Sequence, residues 1–378
     1  MAKRKTIKFN NTTLFILIAI VVIVGLLVAL AYSPVGQKLL EGLPDTENNG
    51  NQTTEKRIVK LGGNAVDADQ NVVLSNVVCQ VHFINVGQGD AILVQFSDGV
   101  DILIDGGSGS SQYPPTEIRT NYINYLMGAG IVDSIDYMIA THPDTDHYNM
   151  FSYVLDSFVV ENIMYNDMVK NSVQTYENFK TKAQDEVSSE HLYKIDADGA
   201  FYDNFVSGIG YELDIYAPGY NTFQDEDAEY DSEESNGMSP IIVLTVNETT
   251  VLLTGDATFE TEEWFVDQLG SSTLDIDVLK VGHHGAAGST GEAFLNAINA
   301  EYAIISSDEG GAYAHPRPEL MTRLFNAGVV TYRTSRHGDI VLNIDQTGAF
   351  AFEVENEVMV ENNTKHIDDK MLITQTGE

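Results

Sequence analysis

Thr141-His142-Pro143-Asp144-Thr145-Asp146-His147 follows directly on the apolar run 135–140, and the architecture can be worked out from that junction. An apolar run of this length, bounded by a turn signal, reads as a buried strand. Pro143 biases His142 toward extended backbone, and in an extended chain residues 142, 144 and 146 share one side. Asp146 and His147 then diverge where a helix begins. Imidazoles and carboxylates crowded in this way repel one another or resist ionising, and a bound divalent cation removes that cost. Zinc takes His nitrogen and Asp oxygen readily, while manganese and iron tolerate the same set. A plain strand-to-helix turn with an aspartate cap accounts for one carboxylate but not for His142, Asp144, Asp146 and His147 together.

Two later segments end in the same way. The apolar run 251–254 delivers Gly255-Asp256, and the run 278–281 delivers Gly282-His283-His284-Gly285. His315-Pro316 adds a further histidine ahead of a helical pattern. A lone histidine is more often a hydrogen-bonded structural residue, but ligand-type side chains recurring at strand ends imply convergence on one sheet edge. Outward from these points, strands are expected at 79–85, 91–96, 101–104, 135–140, 241–246, 251–254, 278–281, 302–306, 340–344 and 350–354. Helices are expected at 116–127, 259–268, 291–298 and 317–327. Strands alternating with helices indicate a layered α/β fold, and no repeat of solenoid or propeller period is present.

The chain has 378 residues and is 43% hydrophobic, enough for one large α/β domain with appendages. Its 20 Lys and Arg against 56 Asp and Glu give a formal net charge of −36. Such a chain cannot coat DNA by counterion release, so any nucleic-acid contact has to be local or metal-mediated. The single cysteine, Cys79, excludes an intramolecular disulfide framework and a Cys-rich zinc knuckle, and no disulfide-linked partner is expected.

Residues 1–12 form a basic tail carrying Lys3, Arg4, Lys5 and Lys8, and residues 13–32 a transmembrane anchor or signal sequence. The uncharged run from Leu14 to Ala31, at about 1.5 Å per residue, nearly spans a hydrocarbon core of roughly 30 Å. Its length favours an anchor over a cleaved signal, although Ala29-Leu30-Ala31 has the small-x-small form of a cleavage site. The expected topology is single-pass in the cell membrane, with the following domain extracytoplasmic, or secreted if the segment is cleaved. Residues 33–75 read as a polar linker, 76–356 as the folded α/β domain and 357–378 as a C-terminal tail. The acidic run Asp225, Glu226, Asp227, Glu229, Asp231, Glu233 and Glu234 reads as a solvated loop with no chemistry assigned.

Val86-Gly87-Gln88-Gly89-Asp90-Ala91, Leu103-Ile104-Asp105-Gly106-Gly107, Thr141 to His147, Leu253-Thr254-Gly255-Asp256-Ala257, Leu279-Lys280-Val281-Gly282-His283-His284-Gly285 and Ala314-His315-Pro316 occur in a fixed order. That ordered set resembles the metallo-β-lactamase superfamily, and specifically its ComEC-type competence branch, over about residues 80 to 345. The resemblance implies an α/β fold, a four-layer αββα metallo-β-lactamase sandwich, with two divalent metal ions at one sheet edge: zinc first, manganese as the alternative. It implies that His142 and Asp144 with one of His283 or His284 hold the first metal. Asp146, His147 and His315 would hold the second, with Asp256 bridging and fixing the spacing. Asp105 would orient the ligand loop, Asn236 and Ser239 match the branch's Asn-x-x-Ser, and whichever of His283 and His284 is not a ligand could act as general acid. Lys280 is placed to contact a phosphate, a surface position being the commoner case for a strand lysine. Departures from the branch fall at Asn85, Asn149-Met150 and Ala286, none of them ligands, and no part of residues 1–378 is expected to match its multi-span channel region.

The function these residues imply is hydrolysis of a phosphodiester by a metal-activated water, with Asp146 at the reacting centre and DNA ends or single strands as suitable substrates. The alternatives are a hydrolase of a cell-envelope phosphoester or of a small ester or lactone, and a non-catalytic metal-binding module of a DNA-uptake or envelope assembly. His82, His191, His337 and His366 lie outside any motif and read as structural or exposed.

Overall fold

Period-two alternation in the strands and buried helix faces set up three apolar layers, which two sheets and their crossover helices enclose. The computed structural model describes residues 61–356 apart from 64, 67–71, 108–114, 168–173, 197, 220–221, 223–231, 271–273 and 309–312, together with 372–374. The basic tail, the apolar run 14–31, most of the linker, Asp225 to Asp231, His366 and nearly all of the C-terminal tail lie outside the described residues. Among the described residues no helix is long and apolar enough to cross a membrane.

In chain order the strands are β1 (Ala65–Val66), β2 (Val72–Leu74), β3 (Val77–Phe83), β4 (Ala91–Phe96), β5 (Asp101–Gly106), β6 (Ser134–Ala140), β7 (Val159–Asn166), β8 (Leu192–Ile195) and β9 (Ala200–Gly208). They continue with β10 (Tyr211–Ala217), β11 (Ile241–Val246), β12 (Thr249–Leu253), β13 (Val278–Lys280), β14 (Tyr302–Ile305), β15 (Val330–Arg333), β16 (Ile340–Asp345), β17 (Phe350–Val354) and β18 (Leu372–Thr374). The first sheet runs β18-β17-β16-β3-β4-β5-β6-β7-β8 and the second β15-β14-β13-β12-β11-β10-β9, while β1 and β2 pair separately. Both sheets are mixed. In the first, β3, β4 and β5 are antiparallel and β5 to β8 parallel; in the second, β9 to β12 are antiparallel and β12 to β15 parallel.

Each parallel half needs crossovers, and helices supply them. Thr116–Gly128 joins β5 to β6, Gln174–Glu186 joins β7 to β8, and Phe259–Leu269, Glu292–Ile298 and Pro318–Ala327 follow β12, β13 and β14. Pro318 opens the last of these at a position whose amide needs no partner, and Gly328, at φ 77°, ends it in left-handed backbone. Val81, Val94 and Ile104 of the first sheet meet Leu213, Leu244 and Ile304 of the second in the central core. Leu103 and Met138 pack outward on Tyr122, Phe151 and Phe179, and Leu252 and Leu279 pack outward on Phe265, Phe294 and Leu320. Four layers result, αββα.

The expected strands and helices are all present, with ends moved by one or two residues. Strands β1, β2, β7 to β10, β15 and β18 lie where none is expected from the sequence. β9 is a mostly exposed edge strand with Asp203 and Asn204 inside it, so its pattern is not that of a buried strand, and β15 is only four residues long between two helices. Such strands are held by their neighbours more than by their own composition.

Candidate metal centre

The parallel strands put the chemistry at their carboxyl ends, where open α/β sheets place ligands. Asp105 closes β5. Its Oδ1 accepts the Thr141 amide at 2.9 Å, and its Oδ2 accepts the Thr141 hydroxyl at 2.7 Å and lies 2.7 Å from His147 Nδ1. A carboxylate only accepts, so His147 carries its hydrogen on Nδ1 and turns Nε2 inward. The Thr141 hydroxyl has given its hydrogen to Asp105, so at 3.0 Å it accepts from His142 Nδ1, with Ser239 Oγ at 3.2 Å. His142 Nε2 also faces inward, fully buried and without a hydrogen-bond partner. Two glycines let the strands close on this loop: a Cβ on Gly89 would lie 2.5 Å, and one on Gly107 1.7 Å, from the Asp146 carbonyl oxygen.

From the second sheet, Asp256 follows β12 and its amide donates to Ser239 Oγ at 3.1 Å. His283 and His284 follow β13 in left-handed backbone, at φ 48° and 53°. Few non-glycine residues adopt that region, so surrounding contacts have to hold it. Ser289 Oγ donates to the Gly282 carbonyl at 2.7 Å and Thr290 Oγ1 accepts the Gly282 amide at 3.1 Å. Glu262, buried, accepts the amides of Thr290 and, at 2.8 Å, of Gly291. Arg323 donates to the carbonyls of Thr290 and Ala287 at 3.0 Å and of Ser289 at 2.7 Å. His284 Nδ1 lies 3.0 Å from the Ser306 carbonyl, which fixes its hydrogen there and directs Nε2 inward.

Asp256, 2% exposed, is the point of convergence. Its Oδ1 lies 3.1 Å from His147 Nε2 and 3.3 Å from His284 Nε2, while Oδ2 lies 3.8 Å from both His142 Nε2 and His283 Nε2. Asp146 Oδ2 stands 3.4 Å from His284 Nε2, and the Nε2 atoms of His147 and His284 are 3.1 Å apart. Two ring nitrogens so close require a cation or a proton between them. Burial favours neutral rings, but Asp256 with Asp105 holds His147, and Asp256 with Asp146 holds His284, well above the ordinary histidine range. Burial, followed by the charge of His147, pushes His142 down to about 4, so its ring stays neutral. Asp256 is held well below the usual carboxylate range because the charges of His147, His284 and His283 outweigh its burial. Inward-facing Nε2 atoms around a dry carboxylate, with His142 Nε2 lacking a hydrogen-bond partner, are a donor set that fits a divalent cation.

The structure places the remaining sequence-based candidates as follows. Both rings of the histidine pair face Asp256, His283 toward the oxygen that His142 also approaches and His284 toward the oxygen that His147 also approaches. His315 sits edge-on to His283, ring centres 5.6 Å apart, with Nδ1 3.5 Å from Gln88 Nε2; burial and the neighbouring histidines lower it to about 4. Asp144 precedes the short helix Thr145–Tyr148 and accepts the Ser235 hydroxyl at 3.2 Å, and Asn236 Nδ2 lies 3.3 Å from His283 Nε2. Lys280 is neither at the surface nor positioned for a phosphate. It is fully buried, 3.0 Å from Asp90 Oδ1, and donates to the Val281 carbonyl at 2.7 Å. His82 and His337 are buried and His191 is exposed.

Asp90 was not among the candidate ligands, yet its carboxylate lies within 4.8 Å of ligand atoms of His147, Asp256 and His284. Burial would raise it, but Lys280, His284 and His147 hold it well below the usual carboxylate range. Its signal was its place in Gly87-Gln88-Gly89-Asp90. Glu262, Ser289, Thr290, Ser306 and Arg323 also went unseen, since nothing local marks a residue that acts across the fold.

No family model matches the chain. It is 30% identical over 273 residues to Recombination protein 2 of Haemophilus influenzae, covering 72% of this chain and 30% of that protein. It is 26% identical over 265 residues to Competence protein ComA of Neisseria gonorrhoeae, covering 70% of this chain and 32% of that protein. The chain has the metallo-β-lactamase fold and is a distant homologue of the competence proteins. The chain spans about a third of the length of those curated relatives. The metallo-β-lactamase fold protein YhfI of Bacillus subtilis aligns with a TM-score of 0.40 at 13% identity, covering 65% of this chain and 92% of that one.

Proposed function

We propose that the chain is a membrane-tethered, outward-facing binuclear metallohydrolase that cleaves phosphodiesters in nucleic-acid ends, single strands or small molecules. The observation that carries this reading is the division of Asp256, with Oδ1 toward His147 and His284 and Oδ2 toward His142 and His283. In this arrangement Asp146, His147 and His284 would hold one cation, His142 and His283 with Asp144 would hold the other, and Asp256 would stand between them. Two divalent cations, zinc or manganese, would supply Lewis acidity and an activated water at neutral pH.

The protein's own residues do the rest. Asp105, Thr141, Ser239 and the Ser306 carbonyl keep the ligand nitrogens aimed inward, and Asp90 with Lys280 backs His284 with a balanced, dry ion pair. His283, with 32% of its side chain exposed against 1% for His284, marks the open mouth. With both histidines of the pair turned to Asp256, His315 is left to offer a hydrogen bond to the departing oxygen. The anchor at Leu14 to Ala31 and the extracytoplasmic placement belong to the same proposal. The net charge of −36 disfavours long duplex substrates and favours termini and short strands.

The test is incubation of the purified protein, loaded with zinc or manganese, with single-stranded DNA, RNA and bis(p-nitrophenyl) phosphate. Cleavage that disappears in a folded Asp146→Ala variant supports the reading. If all three substrates stay intact, the reading is abandoned.

A further inference from the structure

Beside the metal centre lies a cavity of about 480 Å³, between residues 84–87, the helix Thr116–Gly128 and the turns after β14 and β15. That volume falls within the range of small-molecule sites, roughly 300–1,000 Å³. The cavity shares its wall with the centre. Gly87 precedes Gln88, whose amide meets His315, and Ser307 follows Ser306, whose carbonyl fixes His284.

The lining chemistry narrows the ligand. Tyr122 and Ser307, at 3% and 0% exposure, and Ser335 all line the cavity, and their hydroxyls have no hydrogen-bond partner within the chain. Buried hydroxyls without partners are costly, and a ligand that supplies donors and acceptors offsets that cost. Asp308 and Asp339 add two carboxylates, and among the described residues no lysine or arginine lines the cavity. A phosphate there would face like charge with no cation to balance it, so the group that enters is not an anion. Ile84, Val86 and Ile118 give an apolar wall suited to a flat ring, while the hydroxyls and carboxylates suit a sugar and exocyclic amines.

We propose that this cavity is a nucleoside subsite, holding the base and sugar that flank the phosphodiester at the metal centre. It rests on the phosphodiesterase reading above and adds to it the part of the substrate that does not react.

The test has two arms on the full chain in detergent. In the first, calorimetry follows binding of deoxyadenosine and thymidine, with choline and inorganic phosphate alongside. Nucleosides should bind, and Tyr122→Phe/Ser335→Ala should weaken that binding by about fivefold or more, the size of one lost hydrogen bond. Ser335→Ala alone serves if the double variant does not fold. In the second arm, the double variant should raise KM for a dinucleotide at least about fivefold more than KM for bis(p-nitrophenyl) phosphate. Absence of nucleoside binding to the wild type, stronger binding of choline, or equal changes in the two KM values would overturn the subsite. Nucleoside binding that is sensitive to the variants, without cleavage of any phosphodiester, would keep the subsite and remove the hydrolase.

Discussion

The two sheets each deliver histidines to Asp256, but they hold them differently. In the first, one carboxylate organises the whole set: Asp105 fixes the Thr141 hydroxyl and the His147 ring, and through Thr141 it also sets the His142 ring. In the second, the rings are held through backbone. The Ser306 carbonyl takes the His284 hydrogen, and Ser289, Thr290, Glu262 and Arg323 clamp the main chain on either side of a strained histidine turn. A site held by one side chain fails in its electronics when that side chain changes. A site held by backbone fails in its stability instead.

Substitutions at the shared residue should abolish both halves. Asp256→Asn is expected to lower hydrolysis by about 10³-fold or more and to reduce bound metal, read by steady-state kinetics and mass-spectrometric metal analysis. Retention of two equivalents of metal would break the bridging assignment. Next in size is Lys280→Met, which removes the lysine partner of the buried Asp90 carboxylate in a dry site. It should cost about 3–5 kcal/mol, seen as a large fall in melting temperature.

The contrast between the halves is tested most sharply at Asp105. In Asp105→Asn the side-chain amide can donate to His147 Nδ1, which moves the ring hydrogen to Nε2 and spoils the ligand. Metal affinity should fall about 10–100-fold with little loss of stability, measured by chelator competition beside thermal melting. Glu262→Gln should show the opposite pattern, a loss near 1 kcal/mol with metal affinity largely kept. Its pH dependence has a definite sign. Burial raises the Glu262 carboxyl from 4.5 to about 7, so the native state binds the proton more tightly than the unfolded chain. The stability this contributes is complete below about pH 4.5 and is lost as pH rises through about 7. Melting at pH 5 and pH 8.5 should therefore show the wild type's advantage over Glu262→Gln shrinking toward high pH; an advantage that grows would overturn this account.

Legibility in the sequence followed locality. The ligand loop 141–147 could be read because one strand end places several ligand-type side chains together, and Asp256 and the histidine pair could be read because an apolar run announces each. The burial of Lys280 is not legible, since its neighbours show only a strand and a strand lysine is ordinarily solvated. It depends on Asp90, far away in sequence and at the edge of the other sheet. Glu262 and Arg323 look like ordinary helix surface residues until their helices pack over the loop 286–291.

What the sequence by itself determined is the layered α/β class, the ordered set of strand-end motifs and the identity of most of the ligand-type residues, because spacing along a strand or helix fixes which side chains share a face. Only the tertiary structure decided which histidine meets which oxygen of Asp256, that Asp90 and Lys280 form a buried pair, and that a polar cavity adjoins the centre. Those features depend on side chains converging from different strands, and such distances follow from sheet register and layer packing, which no local spacing encodes.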